Sequence, residues 1–231
     1  MSDSLSIVIF AYNEEENIGP VLAELRRWLE ANEPSAEIVF VDDGSHDRTS
    51  EAAARSLSGM PHVLLRHDRN RGIGAALKTG VAGAHGQFVT FLPADGQIAP
   101  DAIATLRRAQ KRRDADVVFS VYDRRDDGWD RKIFSFGVRA LIAGVHGVWL
   151  KSDGPYLFKR RLFDPAQLPS DTFFLNFEFP IRALAAGLVT DNVVIECRPR
   201  RAGHSKSTQW YRIVGVARDL VNLRIRRFNG S

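Results

Sequence analysis

The sequence predicts an α/β fold in which helices flank a mostly parallel β-sheet. First, short apolar runs alternate with longer amphipathic segments from residue 6 to about residue 121, an order typical of repeated βαβ units. Second, runs such as 38–41 (IVFV) are apolar at consecutive positions, as expected for strands buried on both faces. Third, successive runs are far enough apart to leave room for the crossover helix that parallel neighbours require.

The first half of the chain supplies these elements in order. We predict the first strand at 6–11 and the first helix at 14–31, because the apolar residues of the second segment recur every three or four positions. The predicted elements that follow are a strand at 37–42, a helix at 48–57, a strand at 62–67, a helix at 73–83, a strand at 87–92 and a helix at 101–112. Residues 1–121 thus have the pattern of a nucleotide-binding scaffold.

The second half, 122–231, has a different pattern, and we expect it to complete the same single domain. Residues 133–150 are apolar but carry Arg139 and His146, which argues for one or two amphipathic helices, packed on the core or lying at an interface. The tail, 210–228, is predicted as a basic amphipathic helix that docks on the domain or rests on an anionic bilayer. Between these segments we predict a strand at 156–158, a helix at 178–186, a strand at 191–197 and a basic loop at 198–206.

The composition limits the function classes. A chain of 231 residues with 44% hydrophobic residues can bury a sizeable core. Its formal net charge of +4 suits an anionic ligand or membrane surface, and because no aromatic-plus-basic motif stands out we expect no nucleic-acid partner. The single cysteine, Cys197, excludes an internal disulfide framework and favours a cytoplasmic location. Residues 1–4 do not resemble the start of a signal peptide, and we expect no transmembrane helix.

Carboxylates follow two of the predicted strands. Asp42 and Asp43 end the strand at 37–42 and precede a glycine turn, whereas Asp95 and Gln97 follow the strand at 87–92. The carboxyl ends of parallel strands form the ligand-binding edge of such sheets, and Asp95 and Gln97 could share a hard divalent cation. The alternatives are that Asp42 and Asp43 serve as a helix cap and a solvated turn residue, and that Asp95 belongs to an ordinary Asp-Gly turn.

A glycine-rich segment at 72–80 (GIGAALKTG) invites comparison with phosphate-binding loops. Its spacing matches neither the dinucleotide fingerprint nor the Walker pattern. We therefore predict a glycine-rich helix start at which the backbone approaches a ligand or another strand closely.

Five short motifs follow one another along the chain. They are 10–15 (FAYNEE), 41–45 (VDDGS), 70–74 (NRGIG), 94–97 (ADGQ) and 200–206 (RRAGHSK). Together and in this order they resemble glycosyltransferase family 2, most closely its polyprenyl-phosphate sugar transferase branch, which is similar to dolichol-phosphate mannose synthase. The resemblance covers nearly the whole chain, and the order of the motifs makes it more specific than any one of them.

The resemblance implies a GT-A fold, a nucleotide-diphosphate sugar donor, a divalent cation (Mg²⁺ or Mn²⁺) and an acceptor-binding second half. It also implies roles for residues at matching positions. Ala11, Tyr12 and Glu14 would line the nucleotide pocket, Asp43 would contact the base or ribose, Asp95 and Gln97 would bind the metal, Arg201, Ser205 and Lys206 would close on the diphosphate, and Arg131 and Ser135 would meet the acceptor phosphate.

These residue types suit the chemistry of the family. Breaking the bond between a sugar and a diphosphate builds negative charge on the leaving group, which a metal ion and basic side chains stabilise. A lipid phosphate is already ionised, whereas a hydroxyl acceptor requires a carboxylate base, for which Glu178 is the candidate. The candidate catalytic residues are therefore Asp95, Glu178 and Arg131.

The leading prediction is an inverting hexosyltransferase that transfers a sugar to polyprenyl phosphate, peripherally bound at the cytoplasmic face of the membrane. One alternative is transfer to a hydroxyl of a saccharide or other small acceptor, with Glu178 as base. Another is a non-catalytic nucleotide-sugar binder, because Pro93 stands where the first aspartate of the family's DxD motif is usual.

Overall fold

The computed structural model describes residues 3–123 and 129–199 together with Leu223, and for 129–136 and Val138 it describes the backbone alone. Strands and helices alternate along most of the chain. They are β1 (Leu5–Ala11), α1 (Glu15–Asn32), β2 (Glu37–Asp42), α2 (Thr49–Leu57), β3 (His62–Arg66), α3 (Ile73–Ala82), β4 (Phe88–Pro93), α4 (Asp101–Arg113), β5 (Val117–Tyr122), α5 (Trp129–His146), β6 (Leu157–Lys159), α6 (Leu175–Ala185) and β7 (Thr190–Ile195).

The strands form one seven-stranded sheet in the order β3-β2-β1-β4-β6-β5-β7. The pairs β1–β2, β1–β4, β2–β3 and β5–β7 are parallel, and β6 is antiparallel to both of its neighbours, β4 and β5. The chain moves outward from β1 in one direction through β2 and β3 and then returns to the other side of β1 with β4. The strand order therefore reverses between β1 and β4, and the predicted mostly parallel α/β sheet is confirmed.

Successive residues of the central strands point to opposite faces of the sheet, and helices cover each face. Ile7 and Ile9 of β1 pack in one apolar cluster with α1, α2 and α4, whereas Val8 packs in a second cluster with α3 and α6. All three side chains are fully buried. Since burying a Val or Ile side chain contributes about 1.5–3 kcal/mol, two-sided burial explains why these strands are apolar at consecutive positions.

The boundaries in the second half differ from the prediction. The segment predicted at 133–150 as one or two helices forms a single helix, α5, that starts earlier and ends at His146. It ends because Gly147 adopts a positive φ of 70° and its N–H donates to the carbonyl of Ala143 at 2.9 Å, as at many helix C-termini. Cys197 was also predicted inside a strand, but β7 ends at Ile195.

The predicted tail helix at 210–228 lies outside the described residues except at Leu223. That residue is helical and buried, and it packs in a third cluster with Ile142 of α5 and Ile181 of α6. The tail thus docks on these helices at this position. Among the helices in the described ranges, none is long and apolar enough to cross a membrane.

Candidate functional site

The carboxyl ends of β1, β2 and β4 meet at one edge of the sheet. The register pairs Ala11 with Asp42 and Phe10 with Pro93, so the three strands end at nearly the same level. Neighbouring strands lie about 4.8 Å apart, which puts the ends of β2 and β4 roughly 10 Å from each other on either side of β1. Asp43 and Asp95, which follow these two strands, therefore flank the turn after β1 at the point where the strand order reverses. Ligands bind at such a point in open α/β sheets.

The turn after β1 is bound directly to the turn after β2. Asn13 adopts a left-handed conformation, with φ of 53°, which lets the chain turn into α1. The ring of Tyr12, which is half-buried, meets the ring of His46 edge-on at 6.4 Å. The connecting hydrogen bonds run from Asp43 N to Ala11 O (2.9 Å), from Asn13 N to Ser45 Oγ (2.9 Å), from His46 N to Asn13 Oδ1 (2.9 Å) and from Glu14 N to Thr49 Oγ1 (2.8 Å). These hydrogen bonds hold in place the turn that carries the predicted pocket residues Ala11, Tyr12 and Glu14.

Asp42 stabilises the turn that follows β2. Its side chain is fully buried, its Oδ1 accepts from the backbone N–H of Ser45 at 2.9 Å, and its Oδ2 lies 3.3 Å from Nε of Arg66. The first turn of α2 is bound instead by Asp47, which accepts from the backbone N–H of Thr49 at 3.0 Å. Burial opposes ionisation of Asp47, but hydrogen bonds, chiefly from Thr49, hold the pKa of its carboxyl below its usual value. Asp42 is therefore neither a helix cap nor a solvated turn residue. Asp43 is 5% exposed, so it is not a solvated turn residue either.

Asp43 organises the loop between β3 and α3. Its side chain is only 6% exposed, its Oδ1 accepts from Arg71 N at 2.9 Å and from His67 Nδ1 at 2.7 Å, and its Oδ2 accepts from Gly72 N at 2.9 Å. His67 and these backbone donors were not among the residues predicted from the sequence. One feature of the sequence could have indicated His67: it is a polar residue directly after the apolar strand β3, and therefore lies at the same edge of the sheet as Asp43.

Gly72 and Gly74 allow a close approach of the backbone, but the neighbour in the described structure is the irregular segment 171–172 rather than the ligand or strand that was predicted. A Cβ on Gly74 would lie 2.4 Å from the carbonyl oxygen of Thr172. Asp171 accepts from the backbone N–H of Ala75 at 3.1 Å through its carbonyl and lies 2.9 Å from Nζ of Lys78 through its carboxylate. The start of α3 is therefore packed against this segment of the chain.

Asp95 and Gln97 occupy a turn after β4. The backbone N–H of Gln97 donates to Asp95 Oδ1 at 3.1 Å, and Gly96 between them has φ of 72°. The Asp-Gly turn considered as an alternative therefore forms, and both flanking side chains are still partly exposed at the sheet edge. Hard oxygen donors of this kind fit Mg²⁺ or Mn²⁺ when substrate phosphates complete the coordination. No group of three or more His, Cys, Asp or Glu side chains with the spacing of a metal site occurs in the described part of the chain.

The segment that leads into the predicted basic loop is attached to Gln97. Arg198 N donates to Gln97 O at 2.8 Å, and Gln97 Nε2 donates to Arg198 O at 3.4 Å. The guanidinium of Arg198 also lies 2.7 Å from Glu24 Oε1 of α1. The chain therefore enters the basic segment beside Gln97, whereas Arg201, Ser205 and Lys206 themselves lie outside the described residues.

Glu178 is buried on α6. It is 1% exposed, its Oε1 accepts from Arg182 at 3.0 and 3.2 Å, and its Oε2 accepts from Ser170 N at 3.2 Å. These contacts make Glu178 a support of the segment that packs on α3. Arg131 and Ser135 lie in the first part of α5, where the structure describes the backbone but not the side chains.

For the transferase activity that the family resemblance implies, replacing Glu178 with Gln is expected to lower turnover less than about threefold. A Gln oxygen can still accept from Ser170 N. The amide nitrogen then faces the donors of Arg182, but this guanidinium is 32% exposed and can turn toward solvent, so the cost falls on stability rather than on the chemical step. Steady-state kinetics and a thermal unfolding curve are the measurements. A loss of about 100-fold or more with unchanged donor binding would indicate that Glu178 is a general base and would favour a hydroxyl acceptor.

Comparison with known proteins agrees with this fold. The crystal structure of glucosyl-3-phosphoglycerate synthase from Mycobacterium tuberculosis in complex with Mn²⁺, UDP and glucosyl-3-phosphoglycerate superimposes with a TM-score of 0.72, covering 98% of this chain and 80% of that one at 20% identity. The fold is therefore GT-A. The model of glycosyl transferase family 2 matches residues 6–183, and the chain belongs to this family.

Two curated relatives show which members of the family this chain is similar to. The undecaprenyl-phosphate 4-deoxy-4-formamido-L-arabinose transferase of Aeromonas hydrophila is 33% identical over 166 residues, 69% of this chain and 50% of the relative. A dolichyl-phosphate beta-glucosyltransferase of Trichomonas vaginalis is 32% identical over 171 residues, 68% of this chain and 53% of the relative. The chain thus spans about half the length of the curated relatives it matches.

Proposed function

We propose that this chain is the catalytic domain of an inverting glycosyltransferase that moves a hexosyl group from a nucleotide-diphosphate sugar to polyprenyl phosphate. The observation that carries the proposal is the arrangement of Asp43 and Asp95 on either side of the β1 turn, in a member of glycosyl transferase family 2. The two named relatives act on undecaprenyl phosphate and dolichyl phosphate, which supports the acceptor class. The mycobacterial complex with UDP and Mn²⁺ supports the donor class.

In this proposal the donor binds along the sheet edge. Ala11, Tyr12 and Glu14 line the nucleoside pocket, and Asp43 accepts a hydrogen bond from the base or ribose. Arg201, Ser205 and Lys206 follow Arg198 in sequence and bind the diphosphate with their charge and hydroxyl group. The attachment of Arg198 to Gln97 supports this role, because it brings the start of the basic segment to the turn that carries Asp95.

Asp95 and Gln97 would hold a Mg²⁺ or Mn²⁺ ion, which supplies positive charge where the leaving diphosphate becomes more negative. Their oxygen donors fit such an ion only as part of a larger coordination set, so we expect the metal to bind together with the donor diphosphate. Pro93 ends β4 where relatives of this family commonly have a further aspartate, which makes Asp95 the one carboxylate of the segment 93–97.

The transfer itself is a single displacement. A phosphate oxygen of the acceptor attacks the anomeric carbon from the side opposite the diphosphate, the bond from that carbon to the diphosphate breaks, and the nucleoside diphosphate leaves with the bonding electrons. The configuration at the anomeric carbon is thereby inverted. Arg131 and Ser135 on α5 bind and orient the acceptor phosphate. The acceptor has no proton to lose, and the pairing of the buried Glu178 with Arg182 supports a phosphate acceptor over a hydroxyl acceptor.

A polyprenyl acceptor requires contact with the membrane in which the lipid is dissolved. Leu141 on α5, Trp149 after it and Phe173 before α6 are large apolar side chains that are 37%, 48% and 46% exposed, and each is the sequence neighbour of a residue in the cluster around Leu223. Side chains of this type at a protein surface favour insertion into the interfacial region of a bilayer. These features support peripheral binding to a membrane, which the proposal places at the cytoplasmic face.

The proposed domain has two parts. Residues 1–121 bind the nucleotide sugar, and residues 122–231 bind the acceptor. Since the relatives are about twice as long as the matched region, the proposal assigns the transfer reaction to this domain and assigns no role to the regions that the match leaves out.

Purified protein is expected to transfer label from at least one nucleotide sugar to polyprenyl phosphate in anionic vesicles when Mn²⁺ or Mg²⁺ is present. The panel should pair UDP, GDP and TDP sugars with each metal and with EDTA, and chromatography of the organic phase measures the lipid-linked product. Pelleting the same vesicles measures membrane binding.

Controls separate the alternatives. Replacing polyprenyl phosphate with free saccharides tests the hydroxyl acceptor. Metal-insensitive donor binding with neither transfer nor hydrolysis in any combination would contradict catalysis and support a nucleotide-sugar binder. Protein that stays in the supernatant would contradict the membrane contact alone.

A further inference from the structure

His67 has no role in the proposed reaction, yet it lies at the centre of a buried polar network. Its backbone N–H donates to Asp42 O at 2.9 Å, which extends the pairing of β2 and β3 by one residue and fixes its position. Its ring is 5% exposed, with Nδ1 2.7 Å from Asp43 Oδ1 and Nε2 2.9 Å from Thr79 Oγ1 of α3. The network therefore joins β2, the end of β3 and α3 behind the sheet edge.

The donors and acceptors of this network can be assigned in one consistent way. An ionised carboxylate only accepts hydrogen bonds, so Nδ1 of His67 carries a proton and donates to Asp43. In the neutral ring Nε2 then accepts from the hydroxyl of Thr79. The Asp43 carboxylate thus fixes the tautomer of His67, and the contacts with Asp43 and Thr79 together hold the plane of the ring.

The two oxygens of Asp43 are used unequally. A carboxylate offers about four acceptor positions, two on each oxygen. Among the described residues, His67 and Arg71 use both positions on Oδ1, whereas Gly72 uses one on Oδ2. The fourth position is on Oδ2, at the edge of the sheet where the donor nucleoside is proposed to bind. Without the His67 contact, Arg71 N and Gly72 N would still hold one oxygen each, but the carboxylate could tilt about these two bonds and misdirect the fourth position.

We infer that His67 is a positioning residue for donor recognition: through its contact with Asp43 Oδ1 it orients Oδ2 to accept a hydrogen bond from an N–H or O–H group of the nucleoside. The inference rests on the proposed function, because it requires a nucleotide at this edge. A role in packing alone would make both sides of the ring matter equally. The inference instead predicts that donor binding weakens only when the hydrogen-bond donor at Nδ1 is lost.

The test uses two amide substitutions that each preserve one half of the ring's hydrogen bonding. His67→Asn places an amide nitrogen where Nδ1 stands and keeps a donor for Asp43, whereas His67→Gln reaches toward Thr79 and leaves Asp43 Oδ1 without its side-chain donor. His62→Asn, at the exposed opposite end of the same strand, is the matched control. The readouts are KM for the donor, kcat at saturating donor, Kd of the nucleoside diphosphate by calorimetry and the unfolding midpoint of each variant.

We expect His67→Gln to raise the donor KM and the nucleoside diphosphate Kd about tenfold with kcat within about twofold, since a misdirected Oδ2 would lose its hydrogen bond to the nucleoside and a hydrogen bond to a charged group has this size. His67→Asn should stay within about threefold of the wild type in both constants, and His62→Asn should match it. Equal values for His67→Asn and His67→Gln, or a change in the unfolding midpoint without a change in Kd, would overturn the inference. Wild-type protein that binds no nucleoside diphosphate would overturn the proposed function as well, whereas wild-type binding with unaltered His67→Gln would overturn this inference alone.

Discussion

The Asp95→Asn variant is expected to lose sugar transfer by about 1000-fold while remaining folded. Asparagine has the same shape and its amide oxygen can still accept from Gln97 N, so the turn after β4 is preserved. The substitution removes the charge that would hold a divalent cation, and removal of one group that stabilises developing charge typically costs about 100- to 1000-fold in rate. We place the effect at the upper end because Pro93 leaves Asp95 as the one carboxylate between residues 93 and 97.

The measurement is kcat/KM as a function of Mn²⁺ concentration. Asp101→Asn is the matched control: it removes another carboxylate, at the start of α4, and an asparagine there can still accept from the indole N–H of Trp28. This control should keep the wild-type rate. Unchanged transfer and unchanged metal dependence in Asp95→Asn would mean that the cation, if required, binds elsewhere.

The Gly44→Ala variant is expected to lose about 3 kcal/mol or more of the free energy of unfolding. Gly44 has a φ of 74°, where an L-residue costs of order 1–3 kcal/mol. A Cβ there would also lie 2.3 Å from the carbonyl carbon of Arg69 and 2.6 Å from its Cα. Backbone atoms at such distances must shift, and overpacking of this kind adds about 1–3 kcal/mol. The loop that would have to shift is the one whose amides bind Asp43.

Gly187→Ala separates the two contributions. Gly187 has a similar φ of 67°, but nothing lies within 4 Å of the position that its Cβ would take. Urea denaturation should therefore show a loss of only about 1–2 kcal/mol for Gly187→Ala. Equal losses in the two variants would show that the loop around Arg69 accommodates a side chain without cost.

The sequence was sufficient to predict the sheet and the edge at which the candidate site lies. Strands buried on both faces are apolar at consecutive positions, and this pattern ends where the polar residues Asp42 and Asp43 begin, so local composition marks the carboxyl ends of the strands. The extent of α5 was predicted less well because Val148 and Leu150 continue the apolar pattern beyond the helix, although they pack in the third cluster after the chain has left the helical conformation at Gly147.

The contacts within the site could not be predicted from the sequence, because they join residues that are far apart in the chain. Glu178 was predicted as a base, and nothing in its local sequence indicates that Ser170 and Arg182 occupy its oxygens. The attachment of Arg198 to Gln97 spans a separation of 101 residues and arises only when β7 has taken its place beside β5. The network of His67 likewise depends on the packing of α3 against the sheet.

The position of β6 constrains the order in which the protein assembles during synthesis. β4 and β5 follow each other in the chain but are not hydrogen-bonded to each other, because β6 lies between them. Until residues 157–159 have left the ribosome, β4 exposes a row of unsatisfied backbone groups next to a hydrophobic surface, a state that invites association with other nascent chains. A strand of only three residues thus covers edges of two strands that are both made before it.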